Sequence, residues 1–245
     1  MAALQDRLTE LQSANHYADI QDALDRISSD YGFNRYIYHV IKEPQDRPAP
    51  ADLIRYPREW IEHYYKNRFR EIDPVFPEAG SRIMPFRWDQ MFSDRTLTDA
   101  QKRLFEDARD FNLGKGLTIP LHGPTSGFAV LCFATDESEA EFNAICEQYV
   151  ADLIAIGGFT HEAMMRAAVN ENDSPPEPKV HLTDRERDCL YWTAEGKSAW
   201  EAGTILGIKE TTVRYHLENA TRKLKCTSKH QAVIRAIMLN LLILD

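Results

Sequence analysis

The sequence predicts an α+β chain in two parts: an N-terminal α/β/α sandwich built on an antiparallel sheet, followed by an all-α helix-turn-helix domain. Three observations carry this. From residue 182 to 224, two capping boxes and a short glycine-terminated helix precede a longer amphipathic segment. Upstream, runs rich in aromatic and β-branched residues lie among segments of helical period. Between these parts, residues 170 to 178 are polar, proline-rich and aperiodic, the composition of a linker. The expected domains are 1–169 and 181–245, joined by 170–180.

Taken in order, residues 3–13 and 16–29 have helical spacing, with Leu4, Leu8, Leu11, Ile20, Leu24 and Ile27 on the apolar faces. A turn at Tyr31-Gly32 leads into a strand over Phe33–Ile41. The proline-rich stretch Glu43–Pro50 breaks it, and Asp52–Tyr56 is a second strand. Pro57 opens a helix running to about Phe69, since proline fits a first helical turn. Thr98–Phe111 is amphipathic. Leu117–Leu121 and Phe128–Ala134 are apolar runs joined by residues 122–127, the clearest hairpin in the chain. A long periodic segment from Glu137 to Val169 closes the domain, with Gly157-Gly158 a point of interruption.

In the C-terminal part, Thr183 with Glu186 and Ser198 with Glu201 mark two helix starts. Gly207 ends the second helix, Ile208-Lys209 makes the turn, and a third helix starts near Glu210. There Val213, Leu217, Ala220 and Leu224 form one apolar stripe, while Thr211, Tyr215, Glu218 and Arg222 project oppositely. Arg214 and Asn219 flank that polar face, beside Thr212. These groups suit base edges in a major groove, with Arg214, Tyr215, Glu218 and Asn219 the base-reading candidates; Lys209, Arg222, Lys223 and Lys225 can neutralise phosphates.

Charge supports the division. Of 29 Lys and Arg and 38 Asp and Glu, the part from Lys179 onward holds 11 and 8, a balance of +3; the remaining 18 and 30 give −12. A phosphate backbone repels the first part, so DNA contact belongs to the second. No run approaches a membrane helix and no signal-peptide core follows Met1, so a cytoplasmic protein without membrane contact is expected. Cys132, Cys146, Cys189 and Cys226 are scattered, without metal-ligand spacing, and are read as reduced.

No catalytic or metal-binding residues are assigned. G-x-S-x-G is absent, and Ser126 lies in a hairpin turn, not a strand-to-helix elbow. A phospho-acceptor domain would need repeating strand-helix order, which the first part lacks. What stands out there is Trp60 and Tyr64, i and i+4 on one helix face, with Asp73-Pro74 and Trp88. Aromatic bodies with polar tips suit a pocket for an amphiphile; the same residues also make ordinary core and turn.

Glu186, Leu190, residues 192–197, Glu201, Leu206 and Thr212-Val213 resemble the DNA-binding domain of LuxR-type regulators. Lys209, where Ser is common, and Trp200 depart from that pattern. Tyr56, Trp60, Tyr64, Asp73, Pro74, Trp88 and Gly116 resemble the signature of that family's autoinducer-binding domain, extending the likeness over residues 16–240. The resemblance implies an acyl-homoserine lactone as signal ligand, with no other cofactor. It puts the Trp60 N–H on the lactone carbonyl, Asp73 on the amide N–H, Tyr56 or Tyr64 on the acyl carbonyl, and Trp88 over the lactone ring. Cys132 replaces a frequent Ser or Thr. Ile37 and His39 would face the acyl tail, favouring short, branched or aromatic groups; His39 as a surface histidine is the alternative. The implied function is a ligand-responsive transcription factor, a homodimer on inverted repeats with RNA polymerase as a further partner. Alternatives are a receptor for another small molecule, a ligand-independent regulator, or a lactone hydrolase.

Overall fold

The computed structural model describes residues 4–44, 48–94, 97–123, 127–171, 180–239 and 241–242. The hairpin tip at 124–126, part of the loop after the first strand at 45–47, and most of the expected linker, 172–179, lie outside the described residues. The chain divides into two compact units, N-terminal and C-terminal.

The first unit runs α1 (Leu4–Ser13), α2 (Tyr17–Asp30), β1 (Arg35–Lys42), β2 (Leu53–Ile54), α3 (Arg58–Lys66), a 3-10 turn (Phe69–Glu71), α4 (Val75–Ser81), β3 (Phe86–Arg87), α5 (Trp88–Asp94), α6 (Asp99–Asp110), β4 (Lys115–His122), β5 (Phe128–Thr135) and α7 (Glu139–Glu171). The sheet order is β2-β1-β5-β4-β3, with antiparallel pairing throughout. Pro120 sits in β4 beyond the short pairing with β3, where a missing N–H breaks no ladder bond on that side.

Strand parity separates two cores. Tyr36 and Tyr38 of β1, with Leu117, Ile119, Leu131 and Phe133, face α1, α2 and α7. Ile37, Val130 and Cys132 face the opposite way, toward α3 to α6. The expected α/β/α layering is therefore present. Arg166 of α7 donates to the carbonyls of Leu11, Gln12 and Ala14 at 3.0, 2.9 and 3.2 Å, satisfying acceptors at and just beyond the α1 end.

Several boundaries differ from the sequence-based expectation. The helix after Pro57 stops at Lys66 because Arg68 takes a left-handed conformation, φ 55°, and the 3-10 turn follows. Strand β2 is two residues long. Helices α4 and α5 and strand β3 lack extended periodicity and were not expected. Helix α7 continues through Gly157-Gly158 and past Val169 to Glu171, so Asn170 and Glu171 are helical and not linker. Gly157 serves packing instead: a Cβ there would lie 2.9 Å from Ile119 Cγ2 of β4.

The second unit comprises α8 (Asp184–Ala194), α9 (Ala199–Leu206), α10 (Glu210–Lys223) and α11 (Lys229–Met238). Both expected capping boxes form, each with its reciprocal pair of bonds. Gly207 caps α9 at φ 66°. Gly203, which periodicity does not reveal, matters as much: a Cβ there would approach the Ile208 carbonyl oxygen to 2.7 Å, so glycine lets the turn close on α9. Val213, Leu217, Ala220 and Leu224 are buried with Cys189, Leu190 and Ala202.

Candidate ligand cavity and DNA-reading helix

A cavity of about 100 Å³ lies in the first unit between the sheet and the α3–α6 layer. All eight residues singled out from the sequence line it: Ile37, His39, Tyr56, Trp60, Tyr64, Asp73, Trp88 and Cys132. The sheet lays its floor in rows. Thr118, Cys132, Ile37 and Ile54 are successive partners across β4, β5, β1 and β2, and Val130 and His39 form the next row. Strand alternation puts Ile37 and His39 on the same face, as the resemblance implied.

Two helices supply the polar atoms. Trp60 and Tyr64, one turn apart on α3, have ring centroids 5.7 Å apart. The Tyr64 hydroxyl donates to Asp73 Oδ2 at 2.8 Å, and the Val75 N–H donates to Asp73 Oδ1 at 2.9 Å, at the start of α4. Burial raises the Asp73 pKa against the opposing effects of Val75, Tyr64 and the nearby His39. Burial also raises the Tyr56 and Tyr64 phenols. The Cys132 thiol is pushed up to about 12 by burial and is no thiolate nucleophile at neutral pH. It shares a 3.3 Å hydrogen bond with Thr118 Oγ1.

These bonds distinguish committed groups from open ones. Tyr64 is engaged with Asp73, so of the two candidate tyrosines Tyr56 keeps its hydroxyl uncommitted among the described residues; the Trp60 indole N–H likewise has no protein acceptor there. Trp88 donates to Thr118 Oγ1 at 2.9 Å and lies flat on β4, where a Cβ at Gly116 would come within 2.6 Å of the indole. Thus Gly116 and Thr118 seat the Trp88 ring. Thr118, not among the residues expected from the sequence, is signalled only by its register opposite Cys132. His39 is buried and not a surface residue: its Nδ1 pairs with Asp52 Oδ2 at 2.7 Å, and its ring lies 5.5 Å from Phe76. Arg70 of the 3-10 turn and Phe76 of α4 also line the cavity and were missed because those segments are too short to show a period; Tyr65 of α3 lines it as well.

Among the cavity's polar groups are two donors without a protein acceptor among the described residues, the Trp60 N–H and the Tyr56 hydroxyl, and an enclosed carboxylate, Asp73, beside largely apolar side chains. The cavity suits a small molecule with carbonyl acceptors, an N–H donor and an apolar remainder. Nothing in this arrangement activates a nucleophile. Among the described residues no group of three or more His, Cys, Asp or Glu is placed to hold a metal, and no helix is long and apolar enough to cross a membrane.

On α10, Thr211, Arg214, Tyr215, Glu218 and Arg222 are exposed on one side, with Thr212 and Asn219 half-buried and Lys209 exposed at the helix start. Two base-reading candidates have partners within the chain. Arg214 donates to Glu210 Oε1 from Nε at 3.0 Å and from Nη2 at 2.5 Å, and Arg222 donates to Asn219 Oδ1 at 2.7 Å. Lys225 is exposed just past α10 with φ 52°. Beside α10, a groove adds the α9 cap Ser198 and also Thr227, Ser228 and Lys229, small polar groups and a cation that sequence pattern does not single out. Lys223 is drawn inward: its Nζ donates to Glu186 Oε2 at 2.7 Å and to the His181 carbonyl at 3.1 Å. Burial would raise the Glu186 pKa, but Lys223 and the Thr183 cap outweigh it and hold the carboxyl low.

Comparison with known proteins identifies both domains. Residues 17–164 match the autoinducer binding domain, and residues 180–236 match the bacterial regulatory proteins of the luxR family. The transcriptional activator VanR of Vibrio anguillarum is 29% identical over 94% of each chain. SolR of Ralstonia nicotianae, also a transcriptional activator, is 34% identical over 86% of each. Among solved structures, SdiA in complex with octanoyl-rac-glycerol is 25% identical, with a TM-score of 0.68 over 96% of this chain and 93% of that one. The chain is a member of the LuxR family of transcriptional regulators, with an autoinducer-binding domain and a helix-turn-helix DNA-binding domain.

Proposed function

We propose that this regulator senses an acyl-homoserine lactone in the N-terminal cavity and, as a homodimer, reads inverted-repeat DNA through α10. The observation that carries the ligand class is the pairing of open donors with an enclosed acceptor. The Trp60 N–H and Tyr56 hydroxyl fit the lactone and acyl carbonyls, and Asp73 fits the amide N–H. Trp88, seated on Gly116, covers the lactone ring. A cavity of about 100 Å³ is small beside the roughly 300–1,000 Å³ of drug-sized sites, which supports a short acyl group. A solved relative carries octanoyl-rac-glycerol, so acyl glycerols are the second ligand class to test.

Two-fold symmetry of a dimer makes a palindromic operator the geometric expectation, with helix α7 the proposed pairing element. A mobility shift on a pool of inverted repeats, with and without a lactone panel and octanoyl glycerol, tests the whole reading. One lactone altering the shift in either direction supports it. A response to octanoyl glycerol alone moves the assignment to the second class, and DNA binding indifferent to every acyl compound rejects ligand sensing. In the same assay Arg214→Ala should lower discrimination between matched and scrambled operators by about 1–3 kcal/mol, whereas Lys225→Ala should weaken binding to both alike. The reverse pattern would reject those two assignments.

A further inference from the structure

One polar cluster in the cavity is hydrogen-bonded to none of the groups assigned to the lactone and amide, although His39 is close enough to Asp73 to act on its pKa. His39 of β1 belongs to the floor row beyond Cys132 and Ile37, whereas Trp88 is seated on Gly116 and Thr118 of β4. From Thr118 to His39 is two strands across and two residues along, roughly 12 Å by standard sheet spacings. His39 is therefore remote from the Trp88 end.

Its ring is held in place by the local backbone. Asp52, just before β2, accepts the Val40 N–H on Oδ1 at 3.1 Å and pairs through Oδ2 with His39 Nδ1 at 2.7 Å. Since an ionised carboxylate only accepts, Nδ1 is the protonated nitrogen, and in the neutral ring Nε2 presents a lone pair. No protein donor meets Nε2 among the described residues, and it is not sealed away as a buried unsatisfied atom. Phe76 packs against one side of the ring and Val130 lies opposite in the register. An oriented acceptor without a protein donor among the described residues is thus left on a residue of the cavity wall.

We propose that His39 is a specificity residue for the distal end of the ligand, with Asp52 positioning it, and that the acyl group ends in a hydroxyl that donates to Nε2. This rests on the acyl-lactone reading above and narrows it from a short acyl group to one with a polar terminus. A tail ending in methyl would leave Nε2 without a partner and would be disfavoured for that reason.

The test uses pairs of homoserine lactones matched in acyl length from about four to eight carbons, ending in CH3 or in CH2OH, titrated against the full-length protein by calorimetry or thermal shift. At the best-fitting length the hydroxyl-terminated member should bind on the order of tenfold tighter. His39→Phe should remove that preference, and His39→Gln, which keeps an acceptor, should restore part of it. Equal binding of the matched pair by the wild-type protein, or a preference that survives His39→Phe, overturns the inference while leaving the lactone reading intact. Failure of both series to bind overturns both. The wild-type comparison is decisive even if a variant does not fold.

Discussion

Asp73 concentrates the conflict between stability and recognition. Its carboxylate is enclosed, and two protein donors, Tyr64 and Val75, only partly compensate for the lost water. Tyr64 already serves this carboxylate, so a ligand N–H adds a donor and does not supply the first. The raised pKa fixes a sign. The unfolded chain ionises Asp73 before the folded one does, so the fold loses stability as pH rises from the ordinary carboxylate range through the raised value, and above that the loss is complete. Asp73→Asn keeps an oxygen for Val75 and removes the charge. Melting curves of the ligand-free protein should therefore show a higher midpoint for this variant at neutral pH and a flatter dependence on pH. Lactone affinity should fall on the order of ten- to a hundredfold, the range for a hydrogen bond to a charged group. A lower midpoint at neutral pH would mean that the Tyr64 bond outweighs burial.

At the scale of elements, two adjacent glycines in α7 should respond to the same substitution with opposite sign. Gly157 faces β4, and a Cβ would press within 2.9 Å of Ile119 Cγ2 and 3.3 Å of Leu121 Cδ2. Gly158 is exposed, with nothing within 4 Å. Gly157→Ala should cost about 1–3 kcal/mol through overpacking, offset in part by helix propensity, whereas Gly158→Ala should gain about 0.5–1 kcal/mol. Denaturant midpoints of the two variants measure the difference, and a gain for both would mean that α7 stands further from the sheet. A Gly-Gly pair reads as a break when only propensity is considered; close packing on β4 makes glycine the favoured residue at one of the two, and burial is not written in the local sequence. The same limit explains α4, α5 and β3, which are too short to show a period and are fixed by tertiary packing. Where the signal was local it sufficed. Capping boxes at Thr183 and Ser198, the αL glycine at 207 and the i, i+4 pair Trp60 and Tyr64 are each specified within a few residues. Thr118, Arg70 and Phe76 reach the cavity through register and irregular backbone, and so were legible only in the folded chain.

For the whole molecule, the division of charge and of core has a thermodynamic consequence. The acidic first unit and the basic second unit have separate hydrophobic clusters, and every residue lining the ligand cavity comes from the first. A ligand that binds only the folded first unit stabilises it by mass action, about 2.7 kcal/mol at a hundredfold excess over its Kd, and leaves the intrinsic stability of the second unit unchanged. Differential scanning calorimetry of the intact protein should therefore resolve two transitions. Lactone should move one upward by several degrees; operator DNA at low salt should move the other, with an effect that shrinks as salt is raised because phosphate contacts release counterions. Each ligand moving only its own transition would describe two independent modules sharing a chain. Signal sensing requires more: with both present, the lactone must alter the shift produced by DNA, and linkage demands that DNA alter the shift produced by lactone by the same free energy. That reciprocal term, typically about 1–3 kcal/mol in coupled systems, is the quantity that separates a ligand-controlled regulator from a DNA-binding protein that merely holds a ligand.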